Sequence, residues 1–551
     1  MHGSADRAHP TLRWEDLTER QRAAAASRAP ITLVIGGAGT GKTTAALWAA
    51  RTTLEEPDAE PWARALFLTF SRTAVEQISA RSHRVGELED RIEISTFHSF
   101  AMRILRAFGA YAGRGRELPR IQSEAQRKLF GTDPDLLTYD ELVPAALDIL
   151  WSSRRLRELA ARRWPVVICD EFQDTSDDQW ELLTLLGETA RLVLLGDPHQ
   201  MIYTFVRGVG PERLRWAREA AGDAVIELED ASHRDPSGVI PAMAAAVRQR
   251  NFDEPAVLRA VDAGALRVRS ATDPRLIETV IEEMRLARAR GSRSVGIYGH
   301  SNEGVARLGA ALTEANVRHT LVGIPEAQGE GVTSLLVLTK FGLSAATEAE
   351  ARVALAIFLT ACVRGSTAPD LAMRLAHDYE LPRLFEARLN AVLAALREAS
   401  ANGIGAVATV AADAWDQLSI TAGGVPWRRA SYGFLATVRS VAARGLQASD
   451  ALAILEGDVA ALRSGALVSD GGFGSGVTTL MNFHQTKGRE ADGVLLVYRE
   501  GDYLADSRDA EPFTKPSRVL YVALTRARKH VTVILPPDPH RLVAPFAAFE
   551  R

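Results

Sequence analysis

Cysteine is nearly absent: Cys169 and Cys362 are the only two in 551 residues. They are too few to make a zinc or iron–sulfur site by themselves, and they suggest no disulfide framework. No uninterrupted apolar run is long enough to cross a bilayer. The opening residues, MHGSADRAHP, lack the apolar core of a secretory signal. The expected address is therefore cytoplasmic, with no membrane partner. Neither sign of charge dominates, since 65 Lys and Arg face 69 Asp and Glu and leave a formal net charge of −4. Whole-molecule charge thus excludes a generally basic nucleic-acid binder; such a site would have to be a local groove, because exposed charges screen one another beyond about 10 Å. What remains is a globular balance, 46% hydrophobic and 24% charged, in a chain long enough for about three or four domains.

Short apolar runs at 31–35 (ITLVI), 65–70 (ALFLTF), 92–96 (IEIST), 165–169 (PVVIC) and 191–195 (RLVLL) alternate with helix-length stretches. That rhythm predicts an α/β fold with a parallel, doubly wound sheet. A second set follows at 265–269, 294–298, 319–322, 477–481, 493–497 and 530–534. Two stretches break the rhythm: 109–164 is helical in pattern and rich in arginine, and 340–468 is rich in alanine and leucine at helical spacing, as in FEARLNAVLAALREA. The expected organisation is a first core from 1–108 plus 165–230, interrupted by a helical insertion at 109–164. The second core takes 231–339 plus 469–551, with an insertion at 340–468.

Residues 36–43, GGAGTGKT, fit G-x-x-x-x-G-K-[ST] between a predicted strand and a predicted helix, the context a phosphate-binding loop needs. Glycines let backbone N–H groups close around phosphate oxygens, and the helix N-terminus adds favourable partial charge. Gly36, Gly37, Ala38, Gly39, Thr40, Gly41, Lys42, Thr43 and Thr44 form the candidate nucleotide set. Lys42 would reach the β- and γ-phosphates, and Thr43 would ligate Mg²⁺. The second requirement is a carboxylate at another strand end, and VVICDE (166–171) supplies it. Asp170 would hold Mg²⁺, and Glu171 would orient or deprotonate the attacking water. Charge on the γ-phosphate calls for a cation from elsewhere; Arg234 and Arg526 are the candidates, and each has an alternative reading as a surface residue. In LLGDPHQMIYTFVRG (194–208), Gln200, Tyr203 and Phe205 follow a strand end; taken alone, the two rings read as core.

The ordered set of motifs resembles the UvrD/Rep/PcrA-type helicases of superfamily 1 over roughly 12–335 and 470–540. The segments are LTERQRAAA, GGAGTGKTT, LFLTFSRTAVEQISAR, STFHSFAMRIL, VVICDEFQD, GDPHQMIYTFVRG, HRDPSGVI, NFHQTKGREADGVLLV and YVALTRARKHVTVI. The resemblance implies two RecA-like cores with ATP and Mg²⁺ as cofactors. It implies that Gln21 reads adenine beside His233, Gln200 senses the γ-phosphate, Arg234 and Arg526 arrive across the cleft, and Glu490 lies near the ribose. Phe70, Tyr203 and Phe205 match base-stacking positions; His98, Asn302, His484 and Lys487 match positions near the DNA strand or the coupling network. Departures are His233 where the family has tyrosine, Thr44 where it often has arginine, Arg72 where it usually has asparagine, and an arginine displaced by one to Arg207. The implied function is an ATP-dependent translocase on single-stranded DNA and 3′→5′ helicase acting at duplex junctions. The alternatives are a DNA-dependent ATPase subunit working with a separate nuclease in repair or anti-phage defence, and a nucleotide switch without translocation. The chain stops soon after YVALTRARKH, which is expected to leave no room for an appended nuclease domain. RNA stays open as a substrate, because a 2′-OH contact leaves no sequence trace.

Overall fold

The computed structural model describes residues 12–70, 72–85, 89–112, 120–133, 136–204, 206, 208–229, 232–322, 326–363, 365–444, 448–463, 478–502 and 511–550. The chain divides into two compact units. One comprises residues 1–118, 140–320 and 473–551; the other comprises 119–139 and 321–472.

The first unit holds two six-stranded sheets, save for Leu321 at the end of one edge strand. Strands β1 (Ile31–Ile35), β2 (Ala65–Thr69), β3 (Ile92–Thr96), β4 (Val166–Cys169), β5 (Arg191–Gly196) and β6 (Val225–Glu227) lie in the order β3-β2-β4-β5-β1-β6. Every pair in this sheet is parallel, with Ile31 opposite Leu192 and Val166 opposite Arg191. The second sheet contains β7 (Leu266–Ser270), β8 (Val295–Gly299), β9 (Thr320–Leu321), β10 (Thr478–Asn482), β11 (Ala491–Val497) and β12 (Ala527–Leu535), ordered β9-β10-β8-β11-β12-β7. The α/β class with two RecA-like P-loop cores is what these sheets form.

Central strands are continuous apolar runs because helices cover both faces. Leu33, Val34, Phe67, Val167, Val193 and Leu194 are all fully buried in the first sheet, as are Val494, Leu495, Val531 and Val533 in the second. Each such side chain contributes roughly 1.5–3 kcal/mol by leaving water. The expected strands all form; β6 is an additional edge strand of three residues.

In the second unit, helices run from Glu326–Gly342 through Ala448–Arg463. They pack around Phe358, Trp415 and Trp427, whose indoles stack with centroids 5.1 Å apart. Residues 119–139 belong to this unit: the short helix Glu124–Phe130 buries Ala125 and Leu129 in the same core. The helices Leu142–Ser152 and Arg154–Arg163 stay with the first unit.

Candidate nucleotide site

The phosphate loop joins β1 to the helix α1 (Lys42–Leu54). Gly39 and Gly41 take φ of 82° and 89°, a left-handed conformation that costs glycine nothing. A Cβ on Gly41 would strike the Gln21 amide, and one on Gly39 would strike Ser232 Oγ. Lys42 Nζ donates to the carbonyls of Gly36 and Gly37 at 2.6 and 2.8 Å and lies 4.0 Å from Asp197. Thr43 and Thr44 occupy the first turn of α1 and are half-buried. Gln21 packs over the loop: its Nε2 donates to Thr40 O at 3.0 Å and stands 3.5 Å from His233 Nε2, while its Oε1 accepts from Thr18 N at 3.1 Å. His233 is exposed and donates its backbone N–H to Gly39 O at 2.8 Å.

Asp170 and Glu171 follow β4 directly. Glu171 has φ 52°, unusual for a residue with a side chain. Burial and the neighbouring charge of Glu171 push the Asp170 carboxyl up. Burial acts the same way on Glu171, but Lys487, Lys42 and the Gln173 hydrogen bond outweigh it and hold that carboxyl down. Of the adjacent pair, Glu171 is therefore the more readily ionised. Gln173 Nε2 donates to Glu171 Oε2 at 2.7 Å, and Gln173 Oε1 accepts from Asp197 N at 3.0 Å. Gln200 Nε2 donates to Asp197 Oδ2 at 2.7 Å, and Gln200 Oε1 accepts from Arg526 Nη2 at 2.9 Å. A continuous hydrogen-bonded line thus links a second-core arginine to the first-core glutamate.

Arg526 is fully buried and also donates through Nε to Val522 O at 2.9 Å and through Nη2 to Thr525 Oγ1 at 3.1 Å. Burial and Arg234 lower its pKa to about 10, so it stays charged at neutral pH. Arg234 donates to Thr525 O at 2.9 Å and pairs with Glu490 Oε1 at 2.6 Å. Glu490 accepts a two-nitrogen fork from Arg528 at 3.1 and 2.9 Å, and Arg81 Nη2 stands 3.7 Å away. Burial opposes its ionisation, but Arg234, Arg528 and Arg81 together hold the Glu490 carboxyl well below the usual range.

Toward the face implied for nucleic acid, the half-buried ring of Phe70 packs 5.3 Å from Phe97. Tyr203 donates its hydroxyl to His484 O at 3.1 Å, and its ring lies 5.5 Å from Lys487 Nζ. Burial lowers the pKa of His98, and of His484 together with the charge of His300. Lys487 is buried, pairing with Asp174 and donating to Gln200 O at 2.8 Å. Asn302 begins the helix Asn302–Glu314. Phe205 and Arg207 lie outside the described residues; Val206 between them is 43% exposed.

Sequence reasoning missed Gln173, Asp174, Asp197, Arg81, Arg528 and Tyr521. Tyr521, from the second core, brings its hydroxyl to the backbone of Ala38 in the phosphate loop. All six sit inside motifs that were quoted for other letters, so the signal was present but unassigned. The oxygen donors Thr43 and Asp170 suit a hard cation. Asp170, whose ionisation is costly beside Glu171, would gain most from one. The residues therefore fit Mg²⁺.

A family description, AAA domain, matches residues 20–206. Over 373 residues the chain is 22% identical to the ATP-dependent DNA helicase PcrA of Staphylococcus epidermidis, covering 56% of this chain and 50% of that protein. Over 300 residues it is 23% identical to DNA helicase II of Escherichia coli, covering 43% and 41%. A 92-residue stretch is 41% identical to the RecBCD enzyme subunit RecB of Mycolicibacterium smegmatis, covering 16% of this chain and 8% of that protein. The chain spans about half the length of the first two relatives, or less. Among the described residues, no helix is long and apolar enough to cross a membrane.

Proposed function

We propose that this chain, one of the UvrD/Rep/PcrA-type proteins of superfamily 1, is an ATP-driven motor on single-stranded DNA that unwinds duplexes with 3′→5′ polarity. The observation that carries the reading is the buried Arg526 of the second core on Gln200 of the first, one step from the line ending at Glu171. Backbone N–H groups of Gly36–Gly41 and the Lys42 ammonium would hold the triphosphate of ATP. Thr43 and Asp170 would hold Mg²⁺, which supplies charge neutralisation on the phosphates when bound. Glu171 would take the proton of the attacking water, and Arg526 and Arg234 would offset the charge that builds on the transferred phosphoryl group.

Because those arginines come from the second core, ATP favours the closed cleft and its loss favours opening. Tyr203 is tied to His484 across the same cleft, so closure and the grip on stacked bases change together. Stacking is worth about 1–3 kcal/mol per base and tolerates any sequence. The testing experiment is strand displacement on duplexes with 3′ or 5′ single-stranded tails, DNA and RNA, with and without ATP. ATP-dependent displacement of the 3′-tailed DNA duplex is expected; ATP turnover indifferent to single-stranded DNA would overturn the motor reading. The similarity to RecB, named as a subunit of RecBCD, favours a second reading, an ATPase subunit beside a separate nuclease. Turnover stimulated by DNA without displacement by the lone protein would favour it.

A further inference from the structure

Lys487 matches a family position near the DNA strand or the coupling network, yet its address is interior. Its side chain is 5% exposed and that of Asp174 1%. An ammonium has three hydrogens, and three oxygens face this one: Asp174, Gln200 O at 2.8 Å and Glu171 Oε2 at 3.4 Å. No donor remains for a DNA phosphate. A counter-ion for Asp174 alone would need neither the Gln200 carbonyl nor Glu171. Glu171, moreover, stands in a strained left-handed conformation, so its carboxylate direction depends on what grips it. Gln173 grips Oε2 from the first core at 2.7 Å, and Lys487 faces the same oxygen from the second.

We infer that Lys487 is a positioning residue for hydrolysis: it reaches across from the second core to fix Glu171 and the Gln200 loop in working position only when the cores are together. The inference rests on the proposed role of Glu171 as the residue that handles the attacking water. It makes Lys487 the means by which core closure is felt at the water, separate from the arginines that face the phosphate.

The test uses the full chain, with single-stranded DNA-stimulated ATP turnover and binding of a fluorescent ATP analogue as paired readouts. Lys487→Met should lower kcat at least about 100-fold while analogue affinity stays within about threefold. In the Glu171→Gln background the same change should cost nothing further, because residues acting as a unit are not additive. Removing one partner of a buried pair is destabilising, so Lys487→Met with Asp174→Asn, which removes both charges of the Lys487–Asp174 pair, is the companion variant. It should fold like wild type and remain as slow as the single variant. Recovery of the double variant to within threefold of wild-type kcat would reduce Lys487 to a counter-ion and overturn the inference. Wild-type turnover by Glu171→Gln alone would overturn the underlying reading instead, so the two failures are distinguishable.

Discussion

Arg526→Ala offers the sharpest quantitative test of the bridged site. Arg526 is a fully buried cation where the two cores meet, and it holds Gln200 Oε1, Val522 O and Thr525 Oγ1 at once. An arginine delivered to a transferring phosphoryl group is worth about 10³–10⁵ in rate. With Arg234 still in place, the lower end applies, about 10³-fold in kcat, which corresponds to about 4 kcal/mol of barrier. Truncation also leaves buried acceptors without a donor, at about 1–3 kcal/mol each, so folding must be read beside catalysis. The assay is single-turnover ATP hydrolysis at saturating single-stranded DNA, corrected by thermal melting for the folded fraction, with a non-hydrolysable analogue reporting affinity. Arg526→Lys keeps the charge but cannot hold Gln200 and Val522 O together, and should fall between wild type and alanine. A kcat within threefold of wild type for Arg526→Ala, or a loss confined to affinity, would refute the bridging argument.

Lys42→Ala should abolish ATP turnover, measured as phosphate release, since it removes the one ammonium seated in the loop. Tyr203→Phe, which deletes only the hydroxyl bonded to His484 O, should weaken DNA stimulation of turnover less than Tyr203→Ala, which also removes the ring; equal effects would return the ring to a packing role. Glu490 gives an acid signature. Its carboxyl is held below the ordinary value of about 4.3 by Arg234, Arg528 and Arg81 against the cost of burial, so its stabilisation is complete above that value and drains away as pH falls through the depressed one. Urea melts between pH 2 and 6 should show a shallower acid loss for Glu490→Gln than for wild type.

The sheets were legible because buried parallel strands must be apolar along their whole length, as in LVLL and VVIC. Val225–Glu227 was not, being three partly exposed residues at an edge. GGAGTGKT and the Asp170–Glu171 pair carry their chemistry in local spacing. Gln173 does not: its work depends on the backbone of Asp197, which only β5 beside β4 brings near. Lys487 sits in a motif that was read for DNA, yet its partners Asp174 and Gln200 come from another core altogether. Likewise Ala125 and Leu129 look like any amphipathic turn; nothing local assigns them to the helices of the second unit.

The line from Arg526 to Glu171 has a direction. Arg526 donates to Gln200, Gln200 to Asp197, the Asp197 backbone to Gln173, and Gln173 to Glu171. Each donor points the same way, from the second core toward the first. Amide groups and a backbone N–H surrender no proton at neutral pH, so this line is no route for protons. The two glutamines are its one-way elements, each an acceptor on one end and a donor on the other. A glutamate at either place would turn a donor into an acceptor and break the line between the two cores.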